Sequence, residues 1–424
     1  MSALAGIASD TDRPSSGTNP AHPGFWSLSA EDRAAAFARL RALDRPQFCT
    51  DPRTGRGFHA LVRHADVVAA SRTPEVFVSA PGVTTPEPAR WVRALFGDSM
   101  VNLDDPRHAD LRRIVSRAFT PRLIARVEDD IRQVATRIVD EVLARRPDDF
   151  VAAVAAELPY QVICNMMGVP EQQRREILRQ INHASEHTGV ARSRLRVPGR
   201  GLRALARMQA VIAALGRERR RRPTDDLISA LVTADVDGKH LNSRELGAFF
   251  SLLLVAGVET TRNALAHGLH LLTDHPGQRE LLLSDLDAHL GNAVEEVVRY
   301  STPIIQFRRT LAAEHELGGP GGTPLAKGDK VVLFFGSANR DEAVFTDPDT
   351  FDVTRSPNPH LGFGGGGPHF CLGAYLARQE MKVLLRELYT RLPDLRSVGE
   401  PELIPSNFDN RVRSLRFTFT PPGR

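Results

Sequence analysis

The sequence predicts a mainly α-helical protein with small β-sheets, folded as a single large domain over residues 25–424. Three observations carry this. Apolar residues recur at helical spacing through long stretches, above all between Asn242 and His275. The strand-like runs, Phe58–Val62, Val76–Ser79, Lys330–Phe335 and Ser414–Phe419, are short and scattered, without the strand–helix rhythm of a parallel sheet. Hydrophobic residues make up 42% of the 424, enough for a sizeable core, and neither an internal repeat nor a linker divides the body.

Composition excludes several functions. Fifty-five Lys and Arg against 51 Asp and Glu leave a formal charge of only +4, too even a balance to argue for nucleic acid. Three separated cysteines, Cys49, Cys164 and Cys371, are no disulfide framework and fit a reducing, cytoplasmic setting. No run of about 18 apolar residues offers a membrane span. Residues 1–24, rich in Ser, Ala, Gly and Pro, read as a disordered tail without a signal-peptide pattern.

In chain order, Ala30–Leu43 reads as a helix. The stretch from Val78 to Met100 reads as loop, with Pro81, Pro86, Pro88 and Trp91. Asp104-Asp105-Pro106 is a helix start, with Asp105 placed to cap free N–H groups and proline suited to the first turn. The helix that follows puts His108 and Arg112 four residues apart, on one face. Thr120-Pro121 repeats the capping signal. Leu227–Val232 reads as another helix. The arginine-rich run Arg217–Arg222 reads as the solvated C-terminal end of a helix, where positive charge complements the macrodipole.

Asn242-Ser243-Arg244-Glu245 has the form of a capping box. The helix it opens runs a little over thirty residues, roughly 50 Å, and one so apolar must cross the middle of the protein. At its centre stands Ala256-Gly257-Val258-Glu259-Thr260-Thr261. Small residues there let something bulky lie alongside. An acid and a threonine in an apolar setting are costly unless they have partners or a purpose; a threonine bonding back to the preceding turn is the plainer alternative. Glu296 and Arg299 lie three apart on the next helix, a spacing that by itself is usually a surface ion pair.

The run Leu361-Gly362-Phe363-Gly364-Gly365-Gly366-Gly367-Pro368-His369-Phe370-Cys371-Leu372-Gly373 organises the rest. Four consecutive glycines suit neither helix nor strand but a close approach of backbone to something flat. Cys371 sits at the mouth of a helix starting near Leu372, where free N–H groups favour a thiolate, a good ligand for iron.

This run resembles the haem-binding loop of the cytochrome P450 family, whose pattern is Phe-Gly-x-Gly-x-His-x-Cys-x-Gly. His369, Cys371 and Gly373 keep their places, while Phe363 lies one residue further upstream, so the loop carries one extra glycine. Ala256–Thr261 matches the family's Ala-Gly-x-Asp/Glu-Thr-Thr, Glu296/Arg299 its Glu-x-x-Arg, and His108/Arg112 its His-x-x-x-Arg. The motifs occur in the family's order, and the resemblance spans about residues 25–419.

The resemblance implies a P450 fold and haem b with Cys371 as thiolate ligand to the iron. It implies haem contacts from Ala256, Phe363 and Gly373, and propionate contacts from His108, Arg112, Arg309 and His369. Glu259 and Thr260 would deliver protons above the iron, and Glu296, Arg299 and Arg355 would form a buried structural network. Trp91, Ala256, Ile304, Ile305 and Phe408 would line the substrate pocket. The implied activity is a monooxygenase inserting one oxygen atom from dioxygen into a C–H bond of a hydrophobic small molecule, a sterol, terpenoid or branched lipid. The motifs are most similar to the actinobacterial subgroup that oxidises sterols and methyl-branched lipids. Electrons would come from a separate ferredoxin and ferredoxin reductase, with Arg112, Arg113, Arg117, Arg122 and Arg126 as docking face of a monomer. The alternatives are a natural-product tailoring enzyme that closes rings or couples groups, a peroxide-driven enzyme, and a haem protein without turnover.

Overall fold

The computed structural model describes residues 17–85, 99–174, 199–234, 238, 241–318 and 321–420. Trp91 and the segment around His187–Val190 lie outside them. Among the described residues the helices are α1 (Ala30–Arg41), α2 (His64–Arg72), α3 (Arg107–Ala118), α4 (Pro121–Arg145), α5 (Glu157–Met166), α6 (Gly199–Arg221), α7 (Leu227–Thr233), α8 (Ser243–Asp274), α9 (Pro276–Ser284), α10 (Leu286–Ser301), the short α11 (Phe335–Ala338) and α12 (Ala374–Arg391).

One five-stranded sheet has the order β1 (Phe48–Thr50), β2 (Gly57–Leu61), β7 (Lys330–Phe334), β4 (Gln306–Leu311), β3 (Phe77–Val78). Its β2–β7 pair is parallel and the others antiparallel, with Arg309 opposite Val331. Three two-stranded pairs complete the β-structure: β5 (His315–Leu317) with β6 (Thr323–Leu325), β8 (Arg396–Ser397) with β11 (Phe417–Thr418), and β9 (Glu402–Ile404) with β10 (Arg411–Ser414). The expected run Ser414–Phe419 is therefore split between two of these pairs.

The helix starts follow their side chains. Ser29 accepts from the Asp32 N–H, and Thr120 from the Leu123 N–H at 3.2 Å. Asn242 and Glu245 make the reciprocal capping box. At α3 the expectation needs correction: Pro106 is itself the cap residue, and Asp105 accepts from the Ala109 N–H at 3.0 Å, one turn inside. The arginine run is not wholly solvated either. Arg219 turns inward, its Nε donating to the buried Asp226 at 2.5 Å and its Nη2 to the Gly168 carbonyl.

The N-terminal boundary also moves. Residues 1–16 lie outside the described residues, but 17–24 pack against the body: Asn19 donates to the Thr50 carbonyl, and the Trp26 indole donates to the Pro20 carbonyl. Phe25 and Trp26 then close on Phe37 and Phe334 as a small aromatic core beside the sheet.

The main core forms around α8, which packs against α5, α6, α10 and α12. Gly257 serves this packing: a Cβ there would strike Cδ1 of Ile163 on α5. Behind α10 lies a fully buried charge. Glu296 and Arg299 both have no exposed side chain. All five Arg299 N–H groups find acceptors: Glu296 takes two, at 2.7 and 2.8 Å, and the carbonyls of Asn339, Pro348 and Thr350 take the rest. Arg355 Nε reaches Glu296 at 3.2 Å, and the Asp352 N–H and Asn358 amide add two more donors. The three residues implied as a structural network are brought together.

Removing one partner from such a network strands a buried charge, typically about 3–5 kcal/mol. Arg299→Ala is therefore expected to give no folded protein, and Arg299→Lys, which cannot reproduce a five-donor fork, little more. Circular dichroism and yield of haem-loaded protein would check this; a normally folded Arg299→Ala protein would contradict it.

Candidate active site

A cavity of about 470 Å³ opens between the middle of α8 and the glycine loop before α12. Ala256, Gly257, Thr260 and Thr261 form one wall; Phe363, Gly364–Gly366, His369, Cys371 and Gly373 form the facing one. Its remaining lining is overwhelmingly apolar, including Met100, Phe249, Leu252, Leu253, Ile304 and Phe307.

The loop is shaped by what its glycines touch. A Cβ at Gly365 would lie 2.5 Å from Ser71 Oγ on α2. At Gly367 the backbone is left-handed, φ 73°, and a Cβ would strike the Ser71 carbonyl oxygen. The loop thus lies directly on α2. The Cys371 N–H donates to the Phe363 carbonyl at 3.0 Å, which folds the loop back on itself. Cys371 lies on the cavity wall, reachable from within it. Burial among the loop atoms raises its thiol pKa, opposed by the Gly373 N–H, Arg112 and Arg378. Helix α12 begins at Ala374 with Gly373 as cap, so the sequence reading placed its start two residues early.

Four basic side chains line the same cavity: His108 and Arg112 from α3, Arg309 from β4 and His369 from the loop. The two histidine rings lie 4.1 Å apart, and His369 Nε2 is 3.1 Å from Ser79 Oγ. Arg112 donates to the Phe370 carbonyl at 2.8 Å. Burial brings Arg309 down to about 10, against the pull of Asp104. Burial and the like charges of Arg309, His108 and Arg112 bring His369 down to about 3. Gathering four bases, two of them buried, around one cavity is unfavourable unless anions join them. Two propionates would supply that, a thiol faces the cavity for iron, and the glycines leave that wall without side chains in the way of a planar ring. The residues present fit haem b.

On α8, Thr260 faces the cavity and its hydroxyl donates to the Ala256 carbonyl at 2.6 Å, the back-bonded arrangement. Glu259 is buried on another side of the helix, 3.5 Å from Arg262 and 3.9 Å from Arg411.

Two expected pocket residues do not line this cavity. Ile305 is buried in the aromatic core beside the sheet, with Phe25 and Phe334. Adjacent residues of extended chain point to opposite sides, so Ile304 and Ile305 cannot both face inward. Phe408 packs on Phe307 with ring centroids 5.8 Å apart, and it is Phe307 that reaches the cavity. The alternation of Phe307 with Arg309 on one strand face could have identified it.

The sequence reading also missed Glu380, a cavity-lining acid on α12 only 2% exposed. Its spacing from Leu384 and Leu388 put it on the buried stripe of its helix.

With this geometry in hand, comparison with known proteins is decisive. A family model described as Cytochrome P450 matches residues 87–391. The chain belongs to the cytochrome P450 family. The methyl-branched lipid omega-hydroxylase of Mycobacterium tuberculosis (strain H37Rv) is 44% identical to this P450 over 409 residues, 93% of each chain. The steroid C26-monooxygenase of Mycolicibacterium smegmatis is 38% identical over 380 residues, 87% of this chain and 85% of the relative. A Mycobacterium marinum cytochrome P450 solved in complex with pseudoionone matches with a TM-score of 0.85 at 42% identity, over 98% of this chain and 100% of that one. The protein is a haem-thiolate monooxygenase. Among the described residues no helix is long and apolar enough to cross a membrane.

Glu380 yields a pH prediction. Burial raises its carboxyl to about 8, against a hydrogen bond from Thr261. The folded state therefore holds a proton that the unfolded chain, near 4.3, has lost. Stability falls as pH rises from about 4.3 to 8, and the cost is complete above 8. Glu380→Gln keeps the hydrogen bond without the titration. It is expected to be more stable than the parent at pH 9, by an amount on the order of 4 kcal/mol, and to match it near pH 5. Denaturant melts at the two pH values decide; an equal difference at both would contradict the assignment.

Proposed function

We propose that this P450 hydroxylates a terminal methyl group on a branched hydrocarbon chain, of a methyl-branched lipid, a sterol side chain or an acyclic terpenoid. One observation carries the reading: away from its basic cluster the cavity is lined mainly by apolar side chains, with its single thiol on one wall and a threonine-bearing helix on the other. Such a lining selects by shape and hydrophobicity. The named reactions of two relatives share one chemistry, since an omega position and C26 of a steroid are both ends of branched chains. Pseudoionone, in the Mycobacterium marinum structure, is a branched acyclic ketone.

In this reading Cys371 would supply the thiolate that holds the haem iron, and His108, Arg112, Arg309 and His369 would hold the propionates. Haem, when bound, supplies reductive activation of dioxygen and transfer of one oxygen atom to a C–H bond. The chain's residues do the rest. The apolar wall of Phe249, Leu252, Leu253 and Ile304 excludes water and holds the chain end on the Thr260 side of the cavity. Glu259, between Arg262 and Arg411, carries protons to the Thr260 hydroxyl, which passes them into the cavity. Ala256 leaves room beside the ring.

The electron donor is a small acidic ferredoxin with its reductase, and the enzyme works as a cytoplasmic monomer. Arg113 and Arg117 are exposed on α3, and Phe370 beside Cys371 is 38% exposed. These suit a docking face with a charged rim and an apolar centre. Arg122 contributes less, being paired with Asp225 at 2.8 Å.

Reduction of the purified protein under carbon monoxide is expected to give a strongly red-shifted Soret band, lost in Cys371→Ala. A normal Soret position in the parent would overturn the ligand assignment. Titration with iso-branched and linear fatty acids and with a 3-keto sterol should give a high-spin shift only for branched chain ends, with mass spectrometry locating oxygen on the terminal methyl. Equal shifts for linear chains, or oxygen elsewhere, would overturn the substrate reading. Separately, Arg113→Glu with Arg117→Glu should slow reduction by ferredoxin about tenfold at low salt and flatten its salt dependence. Unchanged rates would remove α3 from the docking face.

A further inference from the structure

Glu296 has a neighbour of the same type, and the two acids do different things. One step along an α-helix turns a side chain by about 100°, so Glu295 leaves α10 in another direction. It leads to the thiol loop. Arg378, on α12, grips Glu295 with two parallel hydrogen bonds, Nε to Oε1 at 2.6 Å and Nη2 to Oε2 at 2.7 Å. His360 Nε2 adds a third contact at 3.0 Å. The Gly362 N–H donates to His360 Nδ1 at 3.1 Å, so Nδ1 is an acceptor and Nε2 bears the proton that reaches Glu295. Burial alone would raise the Glu295 carboxyl; Arg378 and His360 instead bring it down to about 2.

The arginine so held lies over the ring of Phe363. Its guanidinium carbon is 4.2 Å from the ring centroid, and the His360 ring centroid lies 5.8 Å from that of Phe363. Phe363 in turn accepts the Cys371 N–H on its carbonyl. The contacts run in series, from a carboxylate on α10 through a guanidinium and a phenyl ring to the thiol-bearing residue. They converge where this loop departs from the family pattern, since the extra glycine lies between Phe363 and Cys371. A longer, more flexible loop has more ways to place its phenylalanine, and a doubly hydrogen-bonded arginine over the ring removes them.

We propose that Glu295 and Arg378 are positioning residues for the Cys371 thiolate, with Glu295 holding Arg378 over Phe363 and that contact fixing the loop register in which Cys371 meets the iron. The inference rests on Cys371 being the iron ligand.

The test uses holoprotein and reads the ligand directly. Arg378→Lys keeps the charge but loses the fork over the ring, Glu295→Gln keeps the shape but loses the charge, and Phe363→Leu leaves the ion pair and removes the ring. Arg391→Lys is the control: it lies on the same helix, pairs with Asp140 and Glu387 at similar exposure, and touches nothing in the loop. For each variant the ferrous carbon monoxide complex is held in mild urea. The rate at which its red-shifted Soret band gives way to one at ordinary position is measured, together with the reduction potential. Arg378→Lys, Glu295→Gln and Phe363→Leu are each expected to convert about tenfold faster than the parent, while Arg391→Lys does not. The Arg378→Lys/Phe363→Leu double variant should convert no faster than the worse single one, because the two act through one contact. Conversion of Arg378→Lys at the control's rate, or effects that multiply in the double variant, would overturn the proposal. Should Arg378→Lys not take up haem, Glu295→Asp replaces it in the same cycle. A parent without the red-shifted band would instead overturn the ligand assignment, a different result.

Discussion

A carboxylate with no access to water sets the terms for the haem side of the molecule. Glu296 must be neutralised by hydrogen-bonded cations or the protein cannot fold around it. Arg299 and Arg355 supply the charge, and the Asp352 N–H and Asn358 amide supply the remaining donors. Because Arg299 also binds the carbonyls of Asn339, Pro348 and Thr350, this satisfaction pins irregular chain from 339 to 358 onto α10. That chain has little regular hydrogen bonding of its own, so its shape follows from the demands of a few buried side chains. The glycine loop leaves from the pinned segment at His360, and its position inherits that rigidity.

The opposite wall has a different origin. α8 owes its place to apolar packing on several helices at once, and Gly257 lets it approach α5 closely. A cavity bounded by a wall set by packing and a wall set by buried charge has little freedom in width. Its cationic edge needs no new element either: α3, β4 and the loop each bring basic side chains to one place, and β4 is held by its register with β7.

What could be read from the sequence depended on spacing. Glu296 with Arg299, His108 with Arg112, and the run from Ala256 to Thr261 each lie within one or two helical turns, where geometry follows from residue number. The structure brings the basic residues and Cys371 to one cavity and closes the Glu296 network. Contacts between distant segments were not legible. Nothing in the order of residues says that Gly367 lies on Ser71, that Arg219 turns inward to Asp226, or that Glu295 meets Arg378. Ile305 was misread because an apolar pair in extended chain was given to one side. Short strands were misjudged because pairing partners far along the chain, not local propensity, decide where a two-residue strand begins and ends.

The bond from Thr260 to Ala256 has a consequence for the direction in which the side chain can work. At 2.6 Å the hydroxyl hydrogen is committed to the helix backbone. Toward the cavity the oxygen therefore presents lone pairs, and its resting polarity is that of a base. A guest bearing an O–H or N–H finds a ready partner there, while a guest that only accepts does not. For Thr260 to donate inward, the hydroxyl must rotate and abandon the carbonyl at a cost of about 1 kcal/mol. The helix thus gives this position a rectifying character, open to one sense of hydrogen bonding and gated against the other.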